Sequence, residues 1–144
     1  ARNVKKIRYA NSTEISEKCK DPVIDLMTSQ KEIINMGGTM RLGAWDCELS
    51  KNTIAHKVYK KKLISERHRH RYEFNNKYSK TIFDDKFIIA GLNPDTKLVE
   101  IIENTDHPWF VGVQFHPEYK SSVYNPHPIF VNFVKACLKK YLNK

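Results

Sequence analysis

Apolar positions along the chain fall in short runs separated by polar and turn residues. Val23-Ile24-Asp25-Leu26-Met27 predicts a short strand, and residues 39–49 predict a longer one after a turn at Gly37-Gly38. Residues 54–59 predict a short helix, 63–74 a single strand and 77–83 a helical turn. Two further strands, at 87–90 and 97–103, flank the turn Gly91-Leu92-Asn93-Pro94-Asp95. The nearly continuous apolar run Trp109-Phe110-Val111-Gly112-Val113-Gln114-Phe115 predicts a buried central strand. From about residue 127 to 142 the spacing turns helical. Ile129, Phe130, Phe133, Val134, Cys137, Leu138, Tyr141 and Leu142 share one face, and Pro128 is tolerated in the first turn. At the other end, residues 1–9 read as the end of a helix with Val4 and Ile7 on one face, and Asn11-Ser12-Thr13 as loop. The sum is an α/β chain, strand-rich and mixed. The run at 109–115 and the last helix are expected to form its core spine.

Composition narrows the class. With 144 residues, 40% hydrophobic, 28% charged and 11% aromatic, the chain reads as one globular unit, without repeat or linker. No apolar run approaches the roughly 20 residues of a membrane-spanning helix, and the basic opening is not followed by the apolar stretch of a secretory leader. Three widely spaced cysteines, Cys19, Cys47 and Cys137, argue against a disulfide framework and for a reducing compartment. None has zinc spacing, and no metal site is expected. The net charge of +9 allows two readings, a lysine-rich solvated surface or a nucleic-acid partner. The lysines are dispersed, which favours the first. Only Glu66-Arg67-His68-Arg69-His70-Arg71-Tyr72-Glu73 concentrates charge.

Three places can carry chemistry. Gln114-Phe115-His116-Pro117-Glu118 follows the predicted buried strand. On extended backbone, residues two apart share a side, so Glu118 can fix the tautomer of His116 and support it as a general base. The alternative is a strand-ending turn with both side chains merely solvated. A base of this kind needs a nucleophile. Cys137 lies on the apolar helix face and reads as core. Cys47 has acidic neighbours that raise a thiol pKa, and Cys19 lies in a polar loop. None sits in a small-residue turn between strand and helix. The second place is the Arg/His string. As one strand it puts Arg67, Arg69 and Arg71 on one face and His68, His70 and Tyr72 on the other. Three alternate arginines suit a carboxylate or phosphate; a nucleic-acid stripe, a His68–His70 metal site and a solvated edge are the alternatives. The third is Asn11-Ser12-Thr13-Glu14, a helix start or, through Glu14, a binding carboxylate.

Several strings occur together and in order: Ala1-Arg2-Asn3-Val4, Asn11-Ser12-Thr13-Glu14, Pro22-Val23-Ile24-Asp25-Leu26-Met27, Gly37-Gly38-Thr39-Met40-Arg41-Leu42-Gly43, Glu66 to Asn76, Leu98-Val99-Glu100-Ile101-Ile102-Glu103, His107-Pro108-Trp109-Phe110 and Gln114-Phe115-His116-Pro117-Glu118. In this the chain resembles the C-terminal part of the glutamine amidotransferase domain of the CTP synthase family. The resemblance covers residues 1–144 and implies a mixed sheet flanked by helices, with the N-terminal strands and the nucleophile elbow missing. It implies His116 as general base, Glu118 as its orienting acid, and Glu14, Arg71 and Tyr72 as glutamine-binding residues. An α-amino acid needs both a cation and an anion for its charged ends, which suits Arg71 and Glu14. The family's nucleophilic cysteine is absent from this stretch, so the chain by itself is expected to be inactive. The longer protein is expected to make CTP from UTP with ammonia from glutamine, using ATP and Mg²⁺ with GTP as activator. It is expected to be a cytoplasmic homotetramer whose synthase domain is the chain's partner, with no membrane or nucleic-acid partner. The rival expectations are an amidotransferase or glutamine hydrolase serving another synthase, and a basic nucleic-acid-binding module.

Overall fold

A computed structural model of the chain describes residues 1–26 and 40–142. The expected Gly37-Gly38 turn lies outside them. Among the described residues, eight strands form two sheets. The smaller contains β1 (Ala10–Ser12), β2 (Asp21–Leu26) and β5 (Tyr72–Phe74), in the order β1-β2-β5. Strand β1 runs parallel to β2, and β5 antiparallel. The larger sheet is antiparallel, in the order β4-β3-β6-β7-β8. Its strands are β3 (Arg41–Leu49), β4 (Leu63–His70), β6 (Phe87–Leu92), β7 (Val99–Asn104) and β8 (Val111–Val113). Three helices are described: α1 (Ile54–Tyr59), α2 (Ser79–Ile82) and α3 (Pro128–Leu142). This is the expected mixed α/β class, strand-rich and with few helices.

The first nine residues form no helix. Lys6 takes a left-handed backbone (φ 58°), which interrupts a helical path, and Val4 is exposed. The chain instead feeds β1 through the buried Ala10, so Asn11 and Ser12 are strand rather than loop.

The predicted strand at 63–74 is two strands in two sheets. Pairing with β3 runs from Leu63↔Glu48 to His70↔Arg41, and pairing with β2 begins at Tyr72↔Leu26. Arg71 is the single residue between them. The crossing from one sheet to the other therefore falls inside the Arg/His string.

The run at 109–115 is not a central strand. Only Val111–Val113 pair, at the edge of the larger sheet and half-buried. The strand beside it, β7, is the buried one, with Val99, Glu100, Ile101 and Glu103 all inside. A continuous apolar run fits a sheet edge here because Val111, Val113 and Trp109 pack on the main core as its flank. That core centres on Cys47, Leu49, Ala55, Ile64, Ala90, Ile101 and Phe115, with Ile129 closing it.

Helix α3 is where expected, but its apolar face is not core. Ile129 alone on it is buried, while Phe133, Val134, Leu138, Tyr141 and Leu142 are exposed. Cys137, expected in the core, is exposed as well.

Two glycines have a defined structural reason. Gly43 stands opposite His68 at φ +81°, a conformation that side chains other than glycine rarely take. At Gly91 a Cβ would meet Cys47 Sγ at 2.6 Å, so glycine lets β6 approach β3 closely. Helix α1 is capped from a distance. Its Ile54 and Ala55 amides each donate to the buried Glu103 carboxylate of β7 at 2.7 Å, and Thr53 Oγ1 accepts from the His56 amide.

Candidate functional site

Beyond β8 the chain makes its last turn before α3. Residues Pro117–Lys120 form a 3₁₀ turn with His116 at its N-cap and Pro117 opening it. The expected alternation of an extended strand is thus replaced by a tight turn, and the turn brings the pair together. His116 Nδ1 donates to Glu118 Oε1 at 2.7 Å. That hydrogen bond holds the Glu118 carboxyl below its usual range, so it stays ionised near neutrality. With Nδ1 occupied, Nε2 is the nitrogen through which His116 exchanges protons. The imidazole also stacks on Tyr119, at 4.9 Å between centroids and 20° between planes. Its backbone amide donates to the Arg67 carbonyl at 2.8 Å, which ties the turn to β4. His116 and Glu118 are both partly solvent-exposed, which suits a site that meets a substrate.

Arg71 is half-buried at the crossing between sheets, and Tyr72 begins β5. Gln114 joins them to the His116 segment, its Nε2 donating to the Tyr72 carbonyl at 3.3 Å. Glu14 stands apart. It is exposed just past β1, where its amide donates to Ser12 Oγ. The registers Ser12↔Ile24 and Leu26↔Tyr72 put Glu14 and Arg71 at the same end of the smaller sheet, on strands separated by β2. Two inter-strand spacings, about 10 Å, separate β1 from β5. The structure thus joins His116 to Glu118 directly and ties their segment to the Tyr72 backbone through Gln114, while Glu14 lies at the end of the smaller sheet where Arg71 enters it.

Arg67, Arg69 and Arg71 do not share a face. Arg67 and Arg69 point to solvent from β4, whereas Arg71 lies in the break after it. Of the two histidines between them, His68 is buried and His70 half-buried, with His68 Nδ1 and His70 Nε2 2.7 Å apart. Burial, reinforced by the nearby Arg41 guanidinium, pushes His68 down to about 3 and His70 down to about 4. Both are neutral at physiological pH, and one donates its N–H to the other. Among the described residues no three His, Cys, Asp or Glu converge in a metal-holding group.

Residue types alone did not single out Arg41, Glu73 and Glu100. All three are buried. Arg41 Nη1 donates to Glu73 at 3.2 Å and Nη2 to Glu100 at 2.5 Å. Burial raises both carboxyls, Glu73 to about 7, against the pull of Arg41. A second buried cluster lies further along β4, where Glu66 Oε1 accepts from Tyr59 Oη at 2.9 Å and sits 3.1 Å from His127 Nε2. In sequence, the only signal for either cluster is charged residues inside otherwise apolar strands.

None of the three cysteines is placed to serve His116 as its nucleophile. Cys47 is fully enclosed in the core, and burial, then Glu100, pushes its thiol up to about 12. Cys19 is half-buried between β1 and β2, and Cys137 is on the outer part of α3. An open cleft of about 780 Å³ lies between the two sheets, lined by Arg2, Ser12, Phe74, Ile102, Gly112 and Gln114 among others. Its lining is mainly apolar and includes none of His116, Glu118, Arg71, Tyr72 or Glu14.

Residues 9–136 match the model of the family described as glutamine amidotransferase class-I. The chain belongs to that family. Among curated class-I amidotransferase relatives, it is 62% identical over 136 residues to a CTP synthase of Christiangramia forsetii, covering 94% of this chain and 25% of that protein. It is 52% identical over 139 residues to a CTP synthase of Aquifex aeolicus, covering 96% and 26%. The chain thus spans about a quarter of the length of these relatives. Its fold matches the glutaminase domain of the Trypanosoma brucei CTP synthase with bound acivicin. The TM-score is 0.87 and the identity 35%, over 96% of this chain and 54% of that one.

Proposed function

We propose that the chain is the C-terminal portion of the single glutaminase domain of a CTP synthase. The observation that carries this reading is the His116–Glu118 pair at 2.7 Å, in a chain whose curated relatives bear that name. The longer polypeptide hydrolyses glutamine to glutamate and ammonia, and spends the ammonia on ATP-dependent amination of UTP to CTP. The part outside this chain supplies the thiol. That thiol attacks the glutamine side-chain amide, and a glutamyl thioester forms as ammonia leaves. His116, its Nδ1 held by ionised Glu118, takes the thiol proton at Nε2 and delivers it to the departing nitrogen. A water deprotonated by the same nitrogen then hydrolyses the thioester. Arg71 holds the glutamine carboxylate, Tyr72 lines the pocket beside it, and Glu14 takes the α-amino group.

No residue of this chain is assigned to ATP, Mg²⁺ or GTP; these fall to the remaining three quarters of the polypeptide, including the synthase domain. The reading also carries a cytoplasmic homotetramer. No described helix is long and apolar enough to cross a membrane.

The test is CTP formation by the full polypeptide. Glutamine hydrolysis coupled to UTP and ATP, lost in His116→Ala while ammonia still supports CTP formation, is the expected result. Hydrolysis indifferent to UTP would point instead to an amidotransferase serving another synthase. Salt-sensitive nucleic-acid binding without glutaminase activity would favour the basic-module reading.

A further inference from the structure

Five side chains around the crossing from β4 to β5, four buried and His70 half-buried, close a circuit. Arg41 bridges Glu73 at 3.2 Å and Glu100 at 2.5 Å. Glu100 Oε2 lies 3.8 Å from His68 Nε2, and His68 Nδ1 lies 2.7 Å from His70 Nε2. His70 Nδ1 in turn is 3.4 Å from Glu73 Oε1, which closes the ring. The members come from β3, β4, β5 and β7, so four strands of two sheets meet in it. We propose that this ring is a positioning device for glutamine binding. It fixes the backbone at Arg71–Tyr72, with Glu73 as the positioning residue nearest the substrate.

The connectivity carries the argument. Arg71 and Tyr72 are the only residues between His70 and Glu73, and both of those are ring members. The two-residue step between sheets is therefore pinned at each end by side chains that contact each other. The ring also reaches the base. The Gln114 amide donates to the Glu100 carbonyl at 2.9 Å, while its side chain donates to the Tyr72 carbonyl. Phe115 sets its ring edge against His68, 5.9 Å between centroids. The next residue is His116, whose amide is held by the Arg67 carbonyl of β4. One buried cluster thus touches the segment that would hold glutamine and the segment that carries the base.

Stability alone does not explain such a ring. Well-packed apolar residues of similar volume are often as stabilising as a buried ion pair, because desolvation offsets the Coulombic gain. What the hydrogen-bonded links of the ring add, Arg41 to both carboxylates and His68 to His70, is direction, since each fixes its partner's angle as well as its distance. The neutral state of both histidines supports the 2.7 Å contact between them, which needs one N–H and one lone pair.

The proposal rests on the glutaminase reading above, and the experiment separates the two. In the full polypeptide, Glu73→Gln keeps the side chain's shape and removes its charge. The expected result is a rise in the glutamine KM of about tenfold with kcat held within about threefold. CTP formation from free ammonia is expected to be unchanged, which also reports that the variant is folded. A second variant, His70→Gln, breaks the ring at its other end and is expected to move KM in the same direction. A glutamine KM within about twofold of the unsubstituted polypeptide in both variants overturns the proposal. A fall in kcat with KM unmoved, or a parallel loss of ammonia-driven synthesis, overturns it too. An unsubstituted polypeptide that does not hydrolyse glutamine overturns the functional reading, and the ring's role with it.

Discussion

Replacing Arg41 by methionine tests whether the buried carboxylates are held by their cation. Methionine fills much of the arginine stem's volume and removes every donor. The Arg41 side chain is 1% exposed, Glu73 2% and Glu100 0%, so solvent cannot take over its role. Removing one partner of a buried pair costs about 3–5 kcal/mol. Folding stability for a single domain is about 5–15 kcal/mol, so the loss is a large fraction of the whole. Its pH dependence has a definite sign. Glu73 already stands near 7 with Arg41 present, and burial raises Glu100 as well. Without the guanidinium both folded-state values rise further above the unfolded value. The folded variant then binds protons more tightly than the unfolded chain across that window, and its stability increases as pH falls. His68 and His70 work the other way. Their folded values lie below the unfolded one, so both forms lose stability as pH falls below about 6.5 toward 4 and 3. The difference between variant and unsubstituted chain removes much of this shared slope. Urea unfolding followed by tryptophan fluorescence, at about pH 8 and about pH 5, is the assay. The variant's deficit is expected to shrink by about 1.4 kcal/mol or more at the lower pH, the equivalent of one pKa unit. A deficit under about 1 kcal/mol at the higher pH, or one that stays constant or grows on acidification, would refute the reasoning.

Glu118→Gln in the full polypeptide is expected to lower glutaminase kcat by about 10³–10⁴-fold, because a neutral amide no longer fixes the His116 tautomer; steady-state hydrolysis of glutamine measures it. The pair is partly exposed, so the unfolding midpoint of the same variant should not move. Gly91→Ala places a methyl 2.6 Å from Cys47 Sγ and 3.0 Å from Ile101 Cγ1, and should cost about 1–3 kcal/mol in urea unfolding. Adding Cys47→Ala should relieve part of that cost, so the two changes together are less harmful than their sum. Thiol titration with a charged disulfide reagent should count Cys137 as fast, while Cys47, enclosed and with its thiol pushed up to about 12, reacts only when the chain unfolds.

The elements most legible in the sequence are those whose pattern is local. Helix α1, with Thr53 before it, and helix α3, with Pro128 at its start, fall within a residue or two of expectation. So do β6 and β7 around their turn. Errors appear where the outcome depends on partners far away in sequence. Alternation across 63–74 is unbroken, yet the chain changes sheets at Arg71, because Arg41 pairs His70 while Leu26 pairs Tyr72. Periodicity within one strand carries no information about which sheet receives each end. The run at 109–115 is apolar enough for a central strand, and only the sheet order reveals it as an edge. The apolar face of α3 was likewise legible as apolar, but not as exposed.

The same contrast separates the two halves of the candidate site. The His116–Glu118 pair is written in five consecutive residues, and a proline between them suffices to make the turn that joins them. The Arg41 ring is written in four strands, with Arg41 and Glu100 59 positions apart. A buried carboxylate looks in sequence like any solvated one, and in the run Leu98-Val99-Glu100-Ile101-Ile102-Glu103 alternation puts Glu100 and Glu103 on opposite faces, so neither face reads as wholly apolar. Both glutamates of that run are in fact buried, and each has a partner: Arg41 on Glu100 Oε1, and the α1 N-terminus on both oxygens of Glu103. Each thereby fixes an element the apolar core alone would leave free to shift: Glu103 the start of α1, Glu100 the approach of β3 to β7. The directional polar contacts of these two glutamates therefore work in different places, one behind the Arg71 crossing and one at the start of α1.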